Sequence, residues 1–187
     1  IHVYNAGSMI TSGGGNVYVF GQSGGTGNSS YNHGVFVEDF ATITAGGLGT
    51  VTVEGTGGAA TGDRNDGVIC YQPGATITSG GGDVIVNGLG GGTGFSSYNY
   101  GVMLDNAGVI TGGASHGVFV QEANATITSS GGNVTVTGLG GGNVNSGLNI
   151  GVLVNSSGKI TAGGNGDVHV TGDGGVLGVL NTGIQVS

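Results

Sequence analysis

Lysine and arginine are almost absent from this sequence. Arg64 and Lys159 are the only two in 187 residues, against ten acidic residues, and the formal net charge is −8. Proteins that bind nucleic acid cluster cations to displace counterions from phosphates, so a nucleic-acid partner is excluded. The same shortage argues against docking on an anionic membrane surface. Apolar runs are only a few residues long, so no membrane insertion is expected. No signal peptide opens the chain, and Ile1 stands inside a repeat. Any targeting segment is therefore expected to be removed or to lie outside this stretch.

Cysteine and proline occur once each. A lone Cys70 excludes a disulfide framework and a cysteine-based zinc cluster. Within Val68-Ile69-Cys70 it reads as a small buried apolar residue. Charged residues make up 6% of the chain and hydrophobic residues 36%. Recurrent Val and Ile at that level set it apart from disordered chains, which are poor in branched apolar residues and rich in charge. The 48 glycines follow no G-X-Y period, so the chain is not collagen.

What the sequence does have is a repeat. Gly-Val-x-Val and its variants begin at Gly34, Gly67, Gly101, Gly117, Gly151 and Gly183. A sister form starts at Asn16, Thr50, Asp83, Asn133 and Asp167, and Ile1-His2-Val3-Tyr4 is a worn copy. Starts are 15 to 18 residues apart. About eight residues after each Gly-Val copy comes a second motif, as in Ala41-Thr42-Ile43-Thr44, Ala75-Thr76-Ile77-Thr78 and Ala125-Thr126-Ile127-Thr128. The larger unit is thus about 33 residues: Gly-Val strand, Thr-Ile-Thr strand, Val-x-Val strand and a Gly-rich loop.

These segments are strands. Each alternates with period two, is rich in β-branched residues and is bracketed by Gly, Asn, Asp or Ser. Val35, Val37 and Ile43 are predicted to point inward, and Phe36, Thr42 and Thr44 outward. One unit cannot bury its inner face alone, whereas stacked units bury a continuous core. The expected fold is all-β: a single parallel β-helix, or β-solenoid, domain over 1–187 with Gly-rich turns. Its units start near 1, 34, 67, 101, 117, 151 and 183, with a short insertion at 101–116.

The coil length stays open between two readings. Each unit of about 33 residues is either one three-sided coil or two flat coils of about 16–17 residues. The insertion carries a Gly-Val strand and a Val-Ile-Thr strand and then runs into a new Gly-Val strand at Gly117, which favours the flat reading. A longer echo relates the loop Gly24–His33 to Gly91–Tyr100, by recent duplication or a shared surface role.

The runs Asn155-Ser156-Ser157-Gly158-Lys159-Ile160-Thr161 and Asp105-Asn106-Ala107-Gly108-Val109-Ile110-Thr111-Gly112-Gly113 resemble repeats of bacterial autotransporter passengers. They are also similar to filamentous-haemagglutinin-like and giant β-strand-repeat surface proteins. The resemblance covers the whole chain and implies secretion, a bacterial extracellular or cell-surface location, and a role in adhesion or surface coats. It also implies a right-handed helix, as does the general rule for parallel crossovers. The secretion signal and membrane barrel of such proteins are missing from this sequence.

Candidate sites are sparse. Glycoside hydrolysis needs two carboxylates flanking one bond, and the acids here are scattered. Their only clusters, Glu38-Asp39 and Asp63-Arg64-Asn65-Asp66, read as turns, so an enzyme is not expected and a polysaccharide-degrading β-helix is a remote alternative. His2, His33, His116 and His169 lack close metal-ligand spacing. Calcium is the one plausible ion, with Asp63, Asp66 and Asp167 as weak candidate ligands. No tandem calcium-binding nonapeptide is present, and no other cofactor is expected. Outward threonines at 11, 44, 78, 111, 128 and 161 form a ladder, which raises ice binding as a further remote alternative. The loop aromatics Tyr31, Phe95, Tyr98 and Tyr100, with Tyr71, are candidate surface contacts.

Neither end shows a cap, and open strand edges template association. The expected function is a structural or adhesive extracellular element that forms or belongs to a cell-surface fibre. Its partners would be copies of itself, stacked end to end or laterally, with a carbohydrate or a host or cell surface as further candidates. The alternative is a carbohydrate- or surface-binding module that uses the Tyr-bearing loops.

Overall fold

A computed structural model describes residues 1–72, 74–93, 96, 99–105, 114–121, 126–129, 131–139, 147–156, 159–162, 164–174 and 181–187. Among them there is no helix; every element is a strand. The first coil runs through β1 (His2–Val3), β2 (Met9–Thr11) and β3 (Val17–Gln22). The second has β4 (Val35–Glu38), β5 (Thr42–Thr44) and β6 (Val51–Thr56). The third has β7 (Val68–Tyr71), β8 (Thr76–Thr78) and β9 (Val84–Leu89). After β10 (Val102–Asp105), the next coil has β11 (Ala114–Gln121), β12 (Thr126–Thr128) and β13 (Val134–Leu139). The chain then makes β14 (Gly147–Asn155), β15 (Lys159–Thr161), β16 (Val168–Asp173) and β17 (Thr182–Val186).

Like strands stack on like strands. The first sheet has the order β1-β4-β7-β10-β11-β14-β17, the second β2-β5-β8-β12-β15 and the third β3-β6-β9-β13-β16, all parallel. The result is a β-solenoid of about four turns with a repeat of about 34 residues. The flat reading favoured by the insertion is overturned. Flat coils would pair Val35 with Val51; instead Val35 pairs with Val68, and Val51 with Val84. The insertion adds β10 as one extra rung between β7 and β11. The second and third sheets pass directly from β8 to β12 and from β9 to β13. The Val-Ile-Thr strand expected at 109–111 lies outside the described residues.

The predicted inward positions form the core. Val35, Val37, Ile43, Val51 and Val53 are fully buried, and Val68, Ile77, Val84 and Val86 repeat them one coil on. Each such side chain contributes about 1.5–3 kcal/mol of hydrophobic stabilisation. Phe36, Thr42 and Thr44 point outward, as expected.

Two features close the coil. Where the third sheet hands over to the first, two glycine columns meet backbone to backbone. Gly21 and Gly55 stand in register on the third sheet, and Gly34 and Gly67 precede strands of the first. A Cβ on Gly21 would lie 2.1 Å from the Gly34 carbonyl oxygen, and one on Gly55 2.1 Å from that of Gly67. The recurrent Gly of Gly-Val is therefore a spacing requirement: no side chain fits between the sheets. Where the first sheet turns into the second, Asn5, Asp39, Gln72 and Ser156 occupy one register position, all with positive φ. Asn and Asp tolerate that conformation better than most residues; of the Glu38-Asp39 cluster, Asp39 is a turn residue while Glu38 ends β4.

Candidate functional surfaces

In the first three coils the loop that returns the chain to the first sheet ends in Asn-x-Gly: Asn32-His33-Gly34, Asn65-Asp66-Gly67 and Asn99-Tyr100-Gly101. Stacking turns the asparagines into a ladder. The Asn32 amide donates to Oδ1 of Asn65 at 2.6 Å, and the Asn65 amide donates to Oδ1 of Asn99 at 3.0 Å. Each amide also binds within its own loop, Asn65 to the Gly62 carbonyl and Asn99 to the Ser96 hydroxyl. Asn65 and Asn99 are buried, where an unpaired amide would cost free energy.

The middle residues of the same triplets form a second column. His33 Nδ1 approaches Asp66 Oδ2 to 3.0 Å, and the Tyr100 backbone N–H donates to Asp66 Oδ1 at 2.7 Å. Asp66 is wholly buried, and burial raises its carboxyl above the ordinary range. His33, the Tyr100 N–H and the charge of Arg64 oppose that rise. Both oxygens of Asp66 are thus directed at protein groups.

The other candidate calcium ligands serve comparable local ends or stand apart. The Asp63 backbone N–H donates to the Ser30 hydroxyl oxygen, and its carbonyl accepts from the Tyr31 N–H. The Asp167 backbone N–H donates to Asn133 Oδ1 at 2.8 Å. Among the described residues, no group of three or more His, Cys, Asp or Glu side chains is placed to hold a metal ion.

Of the candidate contact aromatics, Tyr31 stands 66% exposed, with the Arg64 guanidinium carbon 5.8 Å from its ring centre. Tyr100 is a correction. It is fully buried, in a satellite apolar cluster with Ile69, Ile150 and Leu153 that Phe36 and Tyr71 join. It therefore offers no surface contact. A tyrosine entering this sheet carries too much apolar ring to remain in water when Ile69 lies alongside. Phe95 and Tyr98 lie outside the described residues.

His2 pairs with Glu38 at 2.7 Å and stacks on Phe36 with ring centres 4.8 Å apart, and His169 lies 3.3 Å from the Thr171 hydroxyl. The threonine ladder is real in register: Thr11, Thr44, Thr78, Thr128 and Thr161 succeed one another along the second sheet. Thr111 lies outside the described residues. Two of these hydroxyls have a local role, since Oγ1 of Thr11 and of Thr44 accept the backbone N–H of Gly13 and Gly46 at the corner.

The sequence reading did not single out His33–Asp66–Tyr100 as a unit. The available signal was the Asn-x-Gly triplet recurring at the repeat spacing. Nor did it group Tyr18, Phe20, Glu54 and Asn87, which the Val-x-Val register brings to one outer face of the third sheet.

No protein-family model, curated protein or solved structure matches the chain.

Proposed function

We propose that this chain is a length of rod in an extracellular, bacterial cell-surface fibre, with a structural or adhesive role. The observation that carries the reading is the continuity of its columns. Val, Ile and Gly positions stack coil after coil, and Asn32, Asn65 and Asn99 stack over three of them, so each coil is a template for the next. A face of the lumen lined by Val152, Val154, Ile160, Val170, Ile184 and Val186 forms an open apolar cavity of about 620 Å³. A further coil, of the same polypeptide or of another, would bury those side chains and pair with the strand edges beside them. The resemblance to autotransporter passengers and filamentous-haemagglutinin-like proteins points the same way, since those are secreted surface solenoids.

Electron microscopy over a concentration series tests this reading. End-to-end filaments that disappear in an Ile184→Asp, Val186→Asp double variant support it. Discrete particles at every concentration count against it. A second reading, a surface-binding module, is favoured by the exposed Tyr31 ring at the loop edge.

A further inference from the structure

The third sheet presents a groove that no part of the rod reading uses. Along β3, β6, β9 and β13 the residues alternate inward and outward, so the outward ones fall into rows parallel to the solenoid axis. One row is Phe20, Glu54, Asn87 and Thr137; the next is Gln22, Thr56, Leu89 and Leu139. Between them the backbone of the in-register, inward-facing Gly55 and Gly88 forms the floor of a groove of about 260 Å³.

The walls are chemically mixed and held in place. The Glu54 carboxylate accepts from the Tyr18 hydroxyl at 2.5 Å and from the Asn87 amide at 3.2 Å, one neighbour in each adjoining coil. A carboxylate has about four lone-pair positions, so Glu54 keeps acceptor capacity toward the groove. Phe20 is 54% exposed beside it, and Leu89 and Leu139 stand 42% and 41% exposed on the opposite wall.

We infer that this groove binds one chain of a neutral, β-linked polysaccharide lying along the solenoid axis. Sugar rings present two kinds of surface: C–H faces and hydroxyl edges. The positive C–H face stacks on the negative face of an aromatic ring such as Phe20, and hydroxyls donate to a fixed carboxylate and bond to an amide. Coils repeat at about 4.8 Å, close to the length of one hexose in an extended β-linked chain, so successive sugars meet successive coils. The alternatives fit less well. An anionic polymer meets Glu54 in a chain with a net charge of −8. A peptide strand finds no free ladder beside Glu54 and Asn87, because β6 and β9 are each paired on both sides within the sheet. A lipid surface would have to desolvate the carboxylate.

The test is calorimetric titration of the whole chain with cellohexaose, chitohexaose and mannohexaose, and with polygalacturonate as the anionic probe. The expected result is binding to at least one neutral hexamer, weakened about tenfold or more by Phe20→Ala and by Glu54→Gln. Leu48→Ala, at an 85% exposed corner outside the groove, leaves it unchanged, and circular dichroism of all three variants matches the parent. Absence of binding to every neutral hexamer overturns the inference. So does binding that survives both groove variants, or polygalacturonate binding as tight as that of the neutral hexamers. The inference goes beyond the rod reading and fails separately from it, since filament formation is scored by microscopy.

Discussion

Nδ1 of His33 lies 3.0 Å from Oδ2 of Asp66, across the gap between two successive coils. The two residues are 33 positions apart in sequence, and the pair forms only when coils stack in the observed register. Burial holds the Asp66 carboxyl above its ordinary value, against the opposing pulls of His33, the Tyr100 N–H and Arg64. A carboxyl raised on folding contributes stability below its unfolded pKa and loses it as pH rises through the folded value. Relative to Asp66→Asn, the parent protein is therefore expected to lose stability as pH is raised from the acid side through that value. Denaturant unfolding of both proteins across the acid range checks this. A stability difference that is flat, or that grows in favour of the parent, contradicts it.

The asparagine ladder gives a second expectation. Asn65→Ala removes the acceptor of Asn32 and the donor to Asn99, both inside the loop stack. Asn99 Oδ1 keeps the backbone N–H of residue 65 and the Asn32 amide keeps Ser29, so the cost is that of the two lost hydrogen bonds, about 0.5–1.5 kcal/mol each. The loss is read from the unfolding midpoint, and a change within error would show that the ladder contributes nothing.

Gly55→Ala places a methyl group where the Gly67 carbonyl oxygen lies 2.1 Å away. The contact is with backbone, so no rotamer change relieves it. The expected cost is about 1–3 kcal/mol or more. Gly24→Ala, where nothing lies within 4 Å of the added carbon, is the matched control and is expected to cost far less.

Cys70 faces the lumen, and burial pushes its thiol up to about 12. Thiolate is the reactive form, so a thiol-specific reagent is expected to leave native protein unlabelled and to label it stoichiometrically in denaturant. Rapid labelling of native protein would contradict the inward placement.

Strands, alternation and core were legible because they are local. Val35, Val37 and Ile43 announce their inward positions through period-two patterning and β-branching alone. Coil length was less legible, because Gly34-Val35-Phe36-Val37 and Thr50-Val51-Thr52-Val53 carry almost the same pattern. Either could stack on the other as far as local preference goes. The deciding contact is the close approach of Gly21 to Gly34, which belongs to a handover between two sheets. Tyr100 was misread as a surface aromatic because its loop neighbours are polar, while its apolar companions Ile69 and Ile150 come from other coils. The His33–Asp66–Tyr100 column hides because three unlike residues share one register position. The groove on the third sheet hides for a related reason: Phe20, Glu54 and Asn87 become neighbours only through pairing.

Disulfide trapping in a Cys70→Ser background tests the coil register most directly. Thr52 and Ile85 are direct partners on adjacent strands of the third sheet, and neighbouring strands about 4.8 Å apart fall within disulfide reach. The expected result is that Thr52→Cys with Ile85→Cys oxidises to an intramolecular disulfide, and Phe36→Cys with Thr52→Cys does not. The reverse pattern would mean that coils are half as long as described here, and the three-sided solenoid would be wrong.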